Sequence, residues 1–252
     1  DAGSLWQAAE RGLLAPVQSP ALEAAIPAHL RDPQGRWFAL SQRARTIVYS
    51  TERVDPAELS GIGDLARRKW RGRLCLRSSK KVYNQSLVAT LVERIGVDYT
   101  ETVVRGWVAN LATAPFADDT LLAKAIAAGQ CDVGIINTYY LGRLQHDDPG
   151  FPVQVFWANQ NGVGAHVNVS GAGIVAASKQ KDEARKFLEW LASESVQADF
   201  ASVNFEIPAR PGVALDPVVA AWGPFKADPV NVSVAGARQA EAVKLMDRAG
   251  WR

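Results

Sequence analysis

Cys131-Asp132-Val133-Gly134-Ile135-Ile136-Asn137-Thr138-Tyr139-Tyr140-Leu141-Gly142-Arg143-Leu144 is the stretch that decides the fold. The apolar run from Cys131 to Ile136 comes just after a glycine and reads as a buried parallel strand. Leu141 and Leu144 then fall at helical spacing. The tyrosine pair therefore sits at a strand-to-helix junction, the end of a strand that faces the ligand crevice in open α/β sheets. Inside a helix, adjacent side chains point about 100° apart. With one tyrosine still outside the first turn, both phenols can converge on one point. An arbitrary Tyr-Tyr pair is more often a packing contact at a domain interface, so the surrounding sequence has to decide.

The same junction recurs upstream. A strand over Gly72 to Leu76 is followed by Arg77-Ser78-Ser79-Lys80-Lys81-Val82-Tyr83-Asn84-Gln85-Ser86. The next helix carries Leu87, Val88, Leu91, Val92 and Ile95 as one apolar stripe. Tyr83 thus also follows a strand at a helix start, on the same edge as Tyr139. A helix over 101–111 leads to a short strand at Pro115 to Ala117. Asp118-Asp119-Thr120 caps a helix that ends at Gly129. This β-α-β-α-β alternation implies a doubly wound parallel sheet in an α/β protein.

Further out, two extended runs are expected, Trp37 to Leu40 and Ala44 to Tyr49. In the second, Arg43, Arg45, Ile47 and Tyr49 share a face, and two arginines on one strand face near a crevice suit an anion. Helices are expected at Ser4 to Arg11, from Asp64 through Trp70, at Asp182 to Ser193 and at Ala235 to Ala249. The third of these places Ala184, Phe187, Leu188 and Leu191 inward.

A hydrophobic content of 48% with 21% charged residues over 252 positions is enough to bury a core. The net charge of +2, with basic residues scattered among nearly as many acids, gives no case for nucleic acid. No apolar stretch reaches the length of a membrane span, and the first residues have no basic and apolar leader pattern. Cys75 and Cys131 lie in predicted strands of one sheet. A disulfide is open to them, but two buried free thiols are expected. No Cys-x-x-Cys or His-rich spacing suggests zinc. No nucleophile elbow, His-Glu-x-x-His, P-loop or dinucleotide fingerprint is present, which argues against an enzyme.

Asn137-Thr138-Tyr139-Tyr140-Leu141-Gly142-Arg143-Leu144 resembles the tyrosine-pair motif of periplasmic ferric-ion-binding proteins of iron(III) ABC transporters. Trp37-Phe38-Ala39-Leu40-Ser41-Gln42-Arg43-Ala44-Arg45, Arg77-Ser78-Ser79 with Tyr83-Asn84-Gln85-Ser86, and Gly164-Ala165-His166-Val167-Asn168-Val169-Ser170-Gly171 match in order. Lys186 to Leu191 and Ala249-Gly250-Trp251-Arg252 also fit, so the resemblance spans essentially the whole chain and is nearest to the cyanobacterial-type members. It implies a type II periplasmic-binding-protein fold, two lobes of doubly wound sheet joined by hinge strands. The first lobe would hold residues 1–45 and 170–220, and the second 46–169 and 221–252. It further implies Fe(III) as the bound solute, an ABC permease of the inner membrane as the partner and the periplasm as the location.

By this resemblance Tyr83, Tyr139 and Tyr140 are the metal ligands. Arg43, Arg45, Asn137 and His166 are second-shell or anion-binding candidates, the anion being carbonate or similar. A lone His is more often structural than ligating. Tyr49 and Tyr99 are expected to be packing residues, and His29 and His146 surface residues. The family adds a ligand pair from an opening strand that has no match here, so the first lobe is expected to lack its opening strands. A separate N-terminal fragment or a dimer partner would then complete it. The chemistry agrees with the assignment. Fe(III) is small and hard, so oxygen donors suit it. A tyrosine titrates near pH 10, so the metal must displace the phenol proton. The rival readings are a binding protein for thiamine, a phosphonate or a similar solute, and an enzyme using one Tyr as acid or base.

Overall fold

A computed structural model describes residues 1–252. In chain order the strands are β1 (Leu14–Ala15), β2 (Phe38–Ser50), β3 (Leu74–Cys75), β4 (Val133–Asn137), β5 (Val153–Phe156), β6 (Val167–Ala172), β7 (Ile174–Val175) and β8 (Ile207–Pro208). The helices are α1 (Ala2–Glu10), α2 (Pro20–Ala25), α3 (Val82–Ile95), α4 (Val97–Ala109), α5 (Asp119–Ala127), α6 (Thr138–Asp147), α7 (Lys181–Leu191), α8 (Glu194–Asn204), α9 (Pro217–Ala220), α10 (Val234–Ala237) and α11 (Gln239–Arg248). None is long and apolar enough to cross a membrane.

Strand β2 organises the molecule. The two extended runs expected from the sequence are one strand of 13 residues, about twice the usual strand length. Residues 38–44 pair antiparallel with β6, and Ser41 and Gln42 also pair with β8. Residues 45–49 pair with β4, and 47–50 with β5. The strand therefore changes partners between Ala44 and Arg45, and its register shifts between Ala39 and Ser41, as at a bulge. β3 and β4 are parallel, as the alternation implies. Because β2 arrives from the other set of partners and not through a helical crossover, it lies antiparallel to β4 and the sheet is mixed.

Three apolar clusters hold these layers. One gathers Trp70, Trp107 and Trp251 with Ile47, Leu74, Leu87 and Ile135. A second joins Trp37, Phe38 and Leu22 to Val167, Val169 and Leu188. The third packs Leu122, Ile126, Ile136 and Leu141 between α5, α6 and β4. Each fully buried Leu or Ile contributes about 1.5–3 kcal/mol. Gly134 lets α5 approach β4, since a Cβ there would meet Leu122 Cδ2 at 2.5 Å.

Several expectations are corrected. Asp64 to Trp70 forms two 3-10 turns, Ile62–Ala66 and Arg68–Trp70, with extended backbone at Arg67 between them. The carbonyls of Leu65 and Arg67 accept from Asn110 Nδ2 instead of continuing a helix. Pro115 to Ala117 makes only one bridge, Phe116 with Arg77. The last helix is broken at Arg238 into α10 and α11. Phe187 does not face inward. It is exposed and stacks on Trp190, centroids 5.6 Å apart. Cys75 and Cys131 are not free thiols. Their Cα atoms lie 5.9 Å apart and the sulfurs are bonded, a distance within the range a disulfide needs.

Candidate metal centre

Tyr83 is the second residue of α3, after the N-cap Lys81. Tyr139 and Tyr140 are the second and third residues of α6, after the N-cap Asn137. Both members of the pair thus lie inside the first turn, where one was expected outside. Helical side chains lean toward the N-terminus, which carries the two rings side by side with centroids 4.4 Å apart and a 34° tilt. The Tyr139 hydroxyl also neighbours the hydroxyls of Tyr140 and Tyr83. All three phenols therefore stand over helix N-termini, whose partial positive charge favours an anion.

Guanidinium groups surround them. Arg43, Arg45 and Arg77 lie 6.0, 6.0 and 5.3 Å from the centroid of the Tyr83 ring. Arg143 lies 5.3 Å from Tyr139 and 5.9 Å from Tyr140. Arg77 Nη1 donates to the Tyr140 hydroxyl at 3.4 Å. Burial pushes the Tyr139 phenol well above its ordinary pKa, and the Tyr140 and Tyr83 hydroxyls add to the shift. Asn137 Nδ2, donating to the Tyr139 hydroxyl at 3.2 Å, opposes it. Tyr139 is therefore a neutral phenol at ordinary pH, and any cation that bound its oxygen would have to displace the proton.

Arg45 is fully occupied. Nε donates to Asn84 Oδ1 at 2.9 Å, and Nη1 to Asp119 Oδ2 at 2.8 Å and Asn137 Oδ1 at 3.0 Å. Nη2 donates to Asp119 Oδ1 at 3.3 Å and to the Ile135 carbonyl at 3.2 Å. These contacts use all five of its N–H donors and leave none for a bound anion. Arg43 donates from Nη1 to Ser170 Oγ at 2.9 Å, and its buried Nε has no partner. Arg143 is exposed above the phenol pair with no ion-pair partner, so its donors are free.

By position in the sequence, Asp119 belongs to a helix cap. Asp118 alone does that work, accepting from the Leu121 N–H at 2.8 Å. Asp119 turns inward, fully buried, and also accepts the Asn137 N–H at 3.0 Å. Asn84, Arg45, Asp119 and Asn137 thereby tie the start of α3 to the start of α6. The role of Asp119, the contact of Arg77 and the cover by Arg143 were not found in the sequence. Their only signal there was nearness to the tyrosine motifs.

The cleft of about 290 Å³ beside Tyr139, Tyr140 and Arg143 is closed on its other wall by Ser170, Phe200, Asn204 and Glu206. His166 does not line it. It borders a separate cavity and is buried, with its pKa pushed down to about 3 chiefly by that burial. His146 is exposed against Phe205, and Tyr49 packs on the first core. Tyr99 is a surface residue, 62% exposed, and not a packing residue. No group of three His, Cys, Asp or Glu is placed to hold a metal; the oxygen atoms at the cleft belong to the phenols of Tyr139 and Tyr140 and, on the other wall, to Ser170, Asn204 and Glu206.

The family model for bacterial extracellular solute-binding proteins matches residues 1–227. Iron uptake protein A1 of Synechocystis is 44% identical over 258 residues, covering 100% of this chain and 72% of the relative. A solved structure of Trichodesmium FutA in complex with iron and citrate superposes with a TM-score of 0.97 at 46% identity, covering 100% of this chain and 82% of the other. The ferric binding protein of Campylobacter jejuni gives a TM-score of 0.93 at 35% identity, over 99% and 81% of the two chains.

Proposed function

Because the chain belongs to the bacterial extracellular solute-binding proteins, we propose that it binds Fe(III) through the phenolates of Tyr83, Tyr139 and Tyr140 and delivers it to an ABC-type importer of the inner membrane. Its α/β fold is that of the type II periplasmic ferric-binding proteins. We assign residues 1–45 and 170–220 to one lobe and 46–169 and 221–252 to the other, with the ion held between them and β2 as a hinge strand. The periplasm is the working location that the periplasmic relatives support.

The observation that carries the reading is the convergence of three phenols among four guanidinium groups. Three phenolates neutralise a trivalent ion in a partly desolvated cleft, and hard oxygen donors suit it. Arg45 positions Asn137 and Asn84, and so both helix starts. Arg143 receives any further anionic oxygen, from carbonate or a carboxylate, that completes the coordination shell. A titration with ferric citrate tests this. The parent chain should develop a visible phenolate-to-iron charge-transfer band, and the Y83F/Y139F/Y140F variant should stay colourless while keeping its fold. Equal iron binding by the triple variant overturns the assignment.

A further inference from the structure

A cavity of about 470 Å³ lies among the 59–63 turn, helix α3 and the segment 156–166. It shares no lining residue with the tyrosine cleft, and its volume is that of a small-molecule site. Its walls are mostly apolar, with Leu59, Ile62, Leu87, Leu91, Phe156 and Trp157 among them. Ile95, Tyr99 and Val163 stand at its edge with 41%, 62% and 42% of their surface exposed. These three side chains put apolar surface in water around one opening.

The polar content of this cavity is specific. His166 is only 8% exposed and its Nε2 is buried without a partner. A neutral imidazole has one donor and one acceptor nitrogen, and leaving either unmade in the interior costs about 1–3 kcal/mol. The two charges at the wall are spent on each other. Arg94 Nε donates to Asp228 Oδ2 at 3.1 Å, and Nη2 donates to Oδ1. Asp228 Oδ1 also accepts the Val230 N–H at 2.9 Å. The site therefore offers aromatic and aliphatic walls, one unmatched imidazole and no free charge.

We propose that this cavity is a second ligand site, which takes a small neutral molecule with a flat apolar body and one hydrogen-bonding head that meets His166. The site goes beyond iron binding and does not depend on it. Its backbone is one hydrogen bond from the β2 crossover, since the Arg45 N–H donates to the His166 carbonyl at 3.0 Å.

Phenol and indole are the probes, titrated into the metal-free 252-residue chain by calorimetry and ligand-observed NMR. Saturable one-to-one binding is expected, with benzoate and benzylamine at least about tenfold weaker because no free charge awaits them. Leu91→Trp, which fills the cavity from α3, and His166→Phe, which removes the polar partner, should each weaken phenol about tenfold or more. Tyr99→Ser, on the exposed rim and outside the core, supplies a variant that leaves folding intact and should also weaken both probes. Circular dichroism checks each fold. Absence of saturable binding, unchanged binding in Tyr99→Ser and either other variant, or preference for a charged probe overturns the proposal.

Discussion

The tyrosine cleft and the His166 cavity both adjoin the β2 crossover, and they are built from opposite materials. The cleft is lined by the phenols of Tyr139 and Tyr140 and the Arg143 guanidinium, and a saturated network around buried Asp119 ties together the helix starts that carry the tyrosines. The cavity has apolar walls, a self-contained ion pair and one imidazole with nothing to bond. A fully satisfied buried network rigidifies what it holds, whereas the His166 imidazole has no partner to fix it, as Arg43 Nε and Thr138 Oγ1 on the tyrosine side also lack one. On the tyrosine side, Asn84, Asn137 and Arg45 tie the two helix starts together, and Asn137 bonds the Tyr139 hydroxyl. In the cavity, the order lies in the walls and the polar atom waits for a partner.

The sharpest way to break this contrast is to remove the anchor of the network. Asp119→Asn leaves Arg45 buried without its counter-ion, and breaking such a pair costs about 3–5 kcal/mol. Chemical denaturation should show a loss of that size, and iron binding should weaken with it. A loss below about 1 kcal/mol would mean that Arg45 is held by its neutral partners alone.

The disulfide comes next. Cys75 lies eight residues before Tyr83 and Cys131 eight before Tyr139, so the bond staples the two tyrosine-bearing strand-to-helix units together. Closing a loop with a sequence separation of 56 stabilises by about 4 kcal/mol in the chain-entropy model. Reduced protein, or the C75A/C131A variant, should melt earlier by a matching amount. Iron affinity in the reduced protein reports whether the staple also aligns the phenols.

Asn137→Ala tests the link from the network to the metal. It removes the amide that bonds both Arg45 and the Tyr139 hydroxyl. Loss of such an outer partner typically lowers metal affinity roughly 10–100-fold, read by competition with citrate. The charge-transfer band should survive, since the phenols remain.

The smallest effect belongs to the cavity. His166 is neutral in the fold with its pKa at about 3, against 6.5 for the free side chain. The unfolded chain therefore binds a proton that the folded chain refuses. The contribution is full well above pH 6.5 and is lost progressively as the pH drops through 6.5 toward 3. Between pH 6.5 and 5.5 the loss from this group is about 1 kcal/mol. Denaturation of His166→Phe over the same range should show a slope shallower by that amount.

The sequence made the tyrosine junctions legible because a strand followed by a helix leaves its period in the chain, at Cys131 to Leu144 and again at Gly72 to Ile95. It also made Arg43 and Arg45 visible, through strand alternation. It did not separate their roles, because donor saturation depends on Asn84, Asp119 and Asn137, which come from three different elements. Asp119 was hidden by Asp118, since either acid fits a helix cap by position alone. The disulfide was not legible because strand assignments do not give the 5.9 Å approach of two Cα atoms. Helix α8 left little trace because only Gln197 and Ala201 of its residues are buried, so it carries no apolar stripe.

The central claim is that iron is held by the phenol oxygens of Tyr83, Tyr139 and Tyr140, whose protons a bound metal must displace. The most direct measurement is the number of protons released per Fe(III) bound at neutral pH, from a pH-stat titration with a chelate blank subtracted. The account predicts one proton for each coordinating phenol, and a count that falls by one with each of Y83F, Y139F and Y140F. A proton count unchanged across those three variants would contradict it.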